Sequence, residues 1–317
     1  MSGRSTGLVL AVALVLAGCG RAPAAKPAAT PSAPASSSTA DANGSLVPDN
    51  LNPSAVPTGA STSTSPPKTT QSPTTPGAKV YGADLGWPQC PKGMGIPEKR
   101  SHGAPLPTAA ARFWIVGLTN GPSFVANPCL ADQVRLLRER HLLGAAYAVL
   151  SYPSAATLAQ YGARGPFPGT TQAAALKNTG YAAAQFDVAS MKRVGLRTPF
   201  VWIDVEPVPK FAWSDDTAAN AAVVLGAARG FTDAGFRVGF YSTPSLWARV
   251  VGDLRTGAPE WRAAGQTSEE EALSRCGPDW SIQGGTAVLG QWVEAGRDRN
   301  VTCPGSDPDL SGFFARY

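Results

Sequence analysis

The stretch 198-TPFVWIDVEPVP-209 decides how this chain is read: a run of β-branched and aromatic residues ends in Asp204 and Glu206 and is then stopped by prolines. In a strand, residues i and i+2 face the same way, so the two carboxylates point together into whatever the strand ends in. Like charges held close in a cleft raise the pKa of one group and leave the other ionised. That combination supplies the proton donor and the anion that cleavage of a glycosidic bond requires.

Working outward, short apolar runs alternate with amphipathic stretches, the pattern of βα units. Strands are predicted at 79–86, 112–119, 143–150, 198–206, 236–242 and 288–294, with a weaker one near 259–264. Helices are predicted at 128–141, 171–194 and 214–234, the last opened by Ser214 with Asp215 and Asp216 in its first turn. Seven or eight strands in this alternation predict an α/β fold of TIM-like, irregular (β/α) barrel type over residues 79–317. The stretch 265–287 is polar and glycine-rich apart from a short helix at 267–275, so irregularity is expected there.

A parallel barrel presents its functional groups at the C-terminal ends of its strands. Asp84 ends the first predicted strand, Asp204 and Glu206 end a middle one, and Asp309 follows the last in 306-SDPDLSGFF-314. Four carboxylates distant in sequence are thereby expected at one mouth. Tyr241, Trp292 and Trp87 are the aromatics expected to stack on a sugar there. Trp202 shares the face of Asp204 and is expected deeper in the barrel.

The first residues carry one arginine before the apolar run 8-LVLAVALVLA-17, which is too short for a permanent span and has the form of a secretory signal. It ends in 16-LAGC-19, which resembles the lipobox of bacterial lipoproteins, so residues 1–19 are read as a signal peptide with Cys19 as the lipidation site. Residues 20–78 are Ala, Pro, Ser and Thr with almost no large apolar side chains, a composition that does not offset the entropy of ordering. This disordered linker would reach on the order of 180 Å if fully extended as polyproline II. The expected location is the outer face of the cytoplasmic membrane, with the domain facing the cell wall.

The chain has 27 basic and 22 acidic residues, and residues 1–78 hold four and two of them, leaving a net charge of +3 on 79–317. That is no nucleic-acid footprint. Export permits disulfides. Cys90, Cys129, Cys276 and Cys303 allow three pairings, of which Cys90–Cys129 and Cys276–Cys303 are favoured by local placement. No close Cys-x-x-Cys pair occurs and the two histidines, His102 and His141, are scattered, so no metal site is expected, nor any cofactor. Protein partners and oligomeric state are not legible.

The same residues carry a resemblance to the lysozyme-like enzymes of glycoside hydrolase family 25. The opening 82-GADLGWPQ-89 resembles that family's Gly-Ile/Val-Asp-Val-Ser-x-Trp-Gln start, 114-WIVGLTNG-121 its second strand and 144-GAAYAV-149 its third. The run 202-WIDVE-206 resembles its Asp-x-Glu strand, 235-GFRVGFYSTPSLW-247 the unit that follows, and 290-GQWVEAG-296 with 308-PDLSGF-313 its ending. The resemblance implies an irregular β/α barrel that cuts between N-acetylmuramic acid and N-acetylglucosamine, borne on an exported lipoprotein of actinobacterial type. It gives Asp84 the place of the family's first catalytic-site aspartate. Ala148 stands where the family has histidine, Asn120 where it has glutamate and Gly86 where it has serine, which implies a less polar cleft. Two other readings fit the sequence: a lipoprotein that binds a wall glycan without cutting it, and a hydrolase of another polysaccharide.

Overall fold

The computed structural model describes residues 78–306 and 310–317. The readings of residues 1–77, the signal peptide, Cys19 and nearly all of the linker, lie outside the described residues, as does Asp309. Among the described residues no helix is long and apolar enough to cross a membrane.

Eight strands close into a barrel: β1 (Tyr81–Leu85), β2 (Phe113–Gly117), β3 (Leu143–Val149), β4 (Phe200–Asp204), β5 (Arg237–Ser242), β6 (Glu260–Gln266), β7 (Ala287–Glu294) and β8 (Arg297–Thr302). Neighbours from β1 to β7 pair in parallel. The β8 strand runs the other way, antiparallel to both β7 and β1, and so closes the barrel. A short ninth strand, β9 (Ala315–Arg316), adds to the start of β3. The expected barrel is present, but its closing strand is reversed and its weakest predicted strand, β6, is a full stave with register shifts against β7.

Alternation assigns each strand residue to one side. In β4, Phe200 and Trp202 join an interior cluster with Phe113, Trp261 and Phe314, whereas Val201 and Ile203 join the layer beneath the helices. Interior aromatics need room, and Gly239 on β5 provides it: a Cβ there would lie 2.6 Å from the Trp202 ring and 2.9 Å from that of Phe200. The floor is sealed from the N-terminal side of the strands by the C-terminal segment, with Phe313 stacked on Trp202 at 6.0 Å and Phe314 4.6 Å from Phe113. The open cleft lies at the other end.

The helices α1 (Leu130–Glu139), α2 (Ala155–Tyr161), α3 (Gln172–Val194), α4 (Thr217–Asp233), α5 (Pro244–Val251) and α6 (Glu269–Ser274) connect the strands. On α1 the buried residues Leu130, Gln133, Val134 and Leu137 follow the i, i+3, i+4, i+7 spacing of one helix face. Helix α4 begins later than the sequence suggests. Asp216 is its cap, accepting from the backbone N–H groups of Ala218 and Ala219, so Ser214 and Asp215 precede the helix. Helices α3 and α4 cross with backbones nearly touching; a Cβ on Gly226 would sit 2.0 Å from the Lys177 carbonyl oxygen.

Disulfides join Cys90 to Cys129 and Cys276 to Cys303. The first ties the loop after β1 to the start of α1, near the mouth. The second ties the stretch before β7 to the end of β8, near the base. Another tie at that base is ionic. Glu260, fully buried on β6, meets Arg262 at 2.7 Å and accepts from the backbone N–H groups of Ile282, Gln283 and Gly285. Arg262 in turn donates to the carbonyls of Arg275 and Gly277. The stretch expected to be irregular is thus held by one satisfied buried pair.

Candidate active site

At the C-terminal end of the parallel strands a cleft of about 250 Å³ is lined by Asp84, Asp204, Glu206 and Asp298, with Trp87, Tyr147, Tyr241, Trp261 and Gln291 around them. Register explains the convergence. Asp204 pairs with Val149 on one side and Tyr241 on the other, and Tyr241 pairs with Trp261. Across the seam, Gly82 of β1 lies opposite Asn300, which lies opposite Gln291. Because β8 is reversed, its second residue, Asp298, reaches the same end as the last residues of β1 and β4.

Asp84 is the anchored member. Asn300 Nδ2 donates to its Oδ1 at 2.7 Å and Gln291 Nε2 at 3.2 Å. Those donors are themselves oriented: Trp261 Nε1–H donates to Asn300 Oδ1 at 2.7 Å, and the Tyr241 hydroxyl donates to Gln291 Oε1 at 3.0 Å. Burial and the Asp298 charge hold Asp84 well above the usual carboxylate range, against the pull of the two amide donors. Burial and the surrounding acids also push the hydroxyls of Tyr241 and Tyr147 well above their ordinary value.

Asp204 is held differently. It is 4% exposed and its Oδ1 has no hydrogen-bond partner, so nothing in the protein compensates a charge on that oxygen. Burial, then the Glu206 and Asp84 charges, push its pKa well upward. Glu206 lies two residues beyond, past the end of β4 rather than within it, and is less enclosed. Burial and the Asp298 charge raise it, while Lys99 opposes the shift. Asp298 is raised by burial. Among the described residues the site therefore holds four carboxyls, each held above the ordinary carboxylate range.

Of the residues expected at the mouth, Asp84, Asp204, Glu206, Tyr241 and Trp87 line this cleft. Trp292 does not. It alternates with Gln291 and so faces outward, buried against Ala264, Ala272 and Val301. Asp298 escapes the sequence reading because 297-RDRNVT-302 has little apolar alternation, its inward positions being the polar Asp298 and Asn300. The turn that reverses the chain into it, at Ala295 and Gly296, takes positive φ at both residues, 50° and 68°, as a two-residue hairpin turn requires. The three departures from the resembled family also acquire places. Ala148 faces the helix layer, not the cleft. Asn120 is buried and fixes the loop before it through Ile96 N–H and the Lys99 carbonyl. Gly86 lies under the Tyr147 hydroxyl, which a Cβ would approach to 2.6 Å. Among the described residues no group of three or more His, Cys, Asp or Glu side chains is arranged to hold a metal ion.

No family model matches the chain, and no curated protein matches it. Solved structures do. A muramidase from Acremonium alcalophilum is 14% identical over 74% of this chain and 97% of its own, with a TM-score of 0.46. A family 25 glycosyl hydrolase of Streptococcus pneumoniae is 15% identical over 74% of this chain and 92% of its own, also at 0.46. The modular autolysin of Streptococcus pneumoniae is 13% identical with a TM-score of 0.43 over 70% of this chain, and this chain spans about half of the autolysin's length, 46%. At these values the similarities bear on no individual residue. The barrel rests on the strand order and register given above.

Proposed function

We propose that the barrel hydrolyses glycosidic bonds in a cell-wall polysaccharide, peptidoglycan being the substrate, as a muramidase does. The observation that carries this is the pairing of Asp204, buried with an uncompensated oxygen, and Glu206, raised but open to the cleft. Glu206 in its protonated form gives its proton to the departing glycosidic oxygen as the C1–O bond breaks. Positive charge grows at the anomeric centre, and Asp204, whose Oδ1 has no partner in the protein, accepts from the N–H of an N-acetyl group and orients it to stabilise that charge from within the substrate. Water then attacks the anomeric carbon and returns a proton to the site. Asp84, fixed by Asn300 and Gln291, and Asp298 position sugar or water and tune the other two. Trp87 and Tyr241 supply stacking surface. Asp309 has the role of a further site carboxylate only by its sequence position.

The same proposal covers export: Cys19 carries lipid, residues 20–78 form the linker, and the domain meets the wall from the outer face of the cytoplasmic membrane. The experiment is digestion of purified peptidoglycan with mass spectrometry of the released fragments. New reducing ends on N-acetylmuramic acid support the reading. Ends on N-acetylglucosamine, or turnover of another polysaccharide alone, overturn the choice of bond or substrate.

A further inference from the structure

The barrel wall opens beside one of its acids. Strands β1 and β8 pair at Tyr81 and Val301, Gly82 and Asn300, and Ala83 and Arg299, where the ladder ends. Both strands run on, β1 to Leu85 and β8 back to Arg297. Asp84 and Asp298 therefore stand next in register without pairing, while each keeps its other neighbour, Ile115 for Asp84 and Val293 for Asp298. The seam is parted at the level of the cleft, and on its outer side lies a second cavity of about 80 Å³. Ala83 and Arg299 of the last pair line it, with Arg297, Thr108 and Ala110 around them. Asp298 lines both this cavity and the cleft.

The outer cavity has the size and the chemistry to hold water, since one water occupies about 30 Å³ and needs a few polar partners. Its arginines are engaged elsewhere. Arg297 Nε donates to the Leu106 carbonyl at 3.0 Å, and Arg299 pairs with Glu294 at 2.7 Å. Among the described residues Asp298 therefore forms no ion pair, although an arginine flanks it on either side in sequence. A carboxylate not neutralised by a cation keeps its lone pairs for a proton. The protons of the site are divided to suit. The Asp298 charge raises Asp84 and Glu206, whereas Asp298 is raised by burial alone and a backbone N–H works against that rise. Asp298 is thus the anion while Glu206 keeps its proton, the separation that a base and an acid in one site require.

Resting on the hydrolase reading, we propose that Asp298, standing in the parted seam between a water cavity and the cleft, is the base of the hydrolytic step. The C1–O bond to the departing sugar breaks with the proton of Glu206. A water oxygen then bonds to the anomeric carbon and its proton passes to the Asp298 carboxylate. Asp298 is left protonated and Glu206 ionised until exchange with solvent restores both. A glycan lying across the mouth shuts out solvent from that side. The seam lies on the barrel's flank, where the polymer does not cover it.

The test is digestion of purified peptidoglycan by the full chain carrying Asp298→Ala, with and without sodium azide, at equal folded concentration and with mass spectrometry of the fragments. Turnover should fall by about two to four orders of magnitude, the range for loss of a general base. Azide is a nucleophile that needs no base, so it should restore turnover and leave fragments ending in a glycosyl azide. It should not restore Glu206→Gln, whose leaving group still lacks a proton. A merely structural role for Asp298 gives no such rescue. Asp298→Asn, close to the native side chain in volume, should lose turnover to the same extent and carries the test if the alanine variant does not fold. Native turnover in a folded Asp298 variant, or a loss in folded Asp298→Ala that azide does not restore, overturns the proposal. Failure of the hydrolase reading is a different result, the absence of new reducing ends with the native protein.

Discussion

Replacing Asp204 by asparagine should change how stability depends on pH, and the sign is fixed by the site. Asp204 Oδ1 is buried without a donor, and the Glu206 and Asp84 charges face it, so the folded protein holds the Asp204 proton more tightly than the unfolded chain does. The unfolded value is about 3.9. Below it both states are protonated and the contribution to stability is complete; above it the unfolded chain releases the proton first. Each proton held by the folded state alone makes stability fall by about 1.4 kcal/mol per pH unit, and the fall ends once pH passes the raised folded value. The amide of the Asp204→Asn variant cannot titrate, so the difference between variant and native protein should grow in the variant's favour at up to that slope as pH rises from about 4. Unfolding by urea at a series of pH values measures it. Any pH-independent part of that difference, added to the slope, reports only how well the amide fits. A difference without slope, or one that grows in the native protein's favour, would refute the account of Asp204 as an uncompensated buried acid.

Other consequences follow from the same contacts. Asn300→Ala removes the 2.7 Å donor to Asp84 and the acceptor of Trp261 Nε1–H; it should cost about 1–3 kcal/mol and raise Asp84 further, moving the acid limb of the pH–activity profile upward. Glu260→Gln leaves Arg262 buried and unpaired and should cost about 3–5 kcal/mol in chemical unfolding, with little effect on the affinity of protein that remains folded. Replacing Cys90 and Cys129 by serine opens a link across a sequence separation of 39 and should cost about 4 kcal/mol on the chain-entropy account, measured as the loss of unfolding free energy under non-reducing conditions.

The staves with apolar interior residues are legible because burial on both faces leaves a recognisable run: Phe200, Val201, Trp202 and Ile203 spell β4 directly. The acids at their ends follow from alternation and from the rule that such barrels work at one end. Legibility fails where function replaces packing. The β8 strand turns Asp298 and Asn300 inward, so no apolar period announces it, and Asp298 stays hidden in the sequence. Trp292 fails for the opposite reason. Parity within β7 has two solutions, and only the contact of Gln291 with Asp84 shows that Gln291 is the inward residue. The start of α4 is displaced because three adjacent residues, Ser214, Asp215 and Asp216, could each cap it, and the choice depends on which side chain reaches the free N–H groups. Lys99 carries no sequence signature at all. Its place depends on Trp87 and the adjacent pair Asn120 and Gly121, from two separate segments, coming together beside it.

The central claim is that Glu206 is the acid of a glycosidic cleavage, and reducing-end release from purified peptidoglycan by the native protein and by Glu206→Gln, at equal folded concentration, tests it most directly. The account predicts turnover by the native protein and its loss, by about two to four orders of magnitude, in the variant. Equal turnover by both proteins would contradict it.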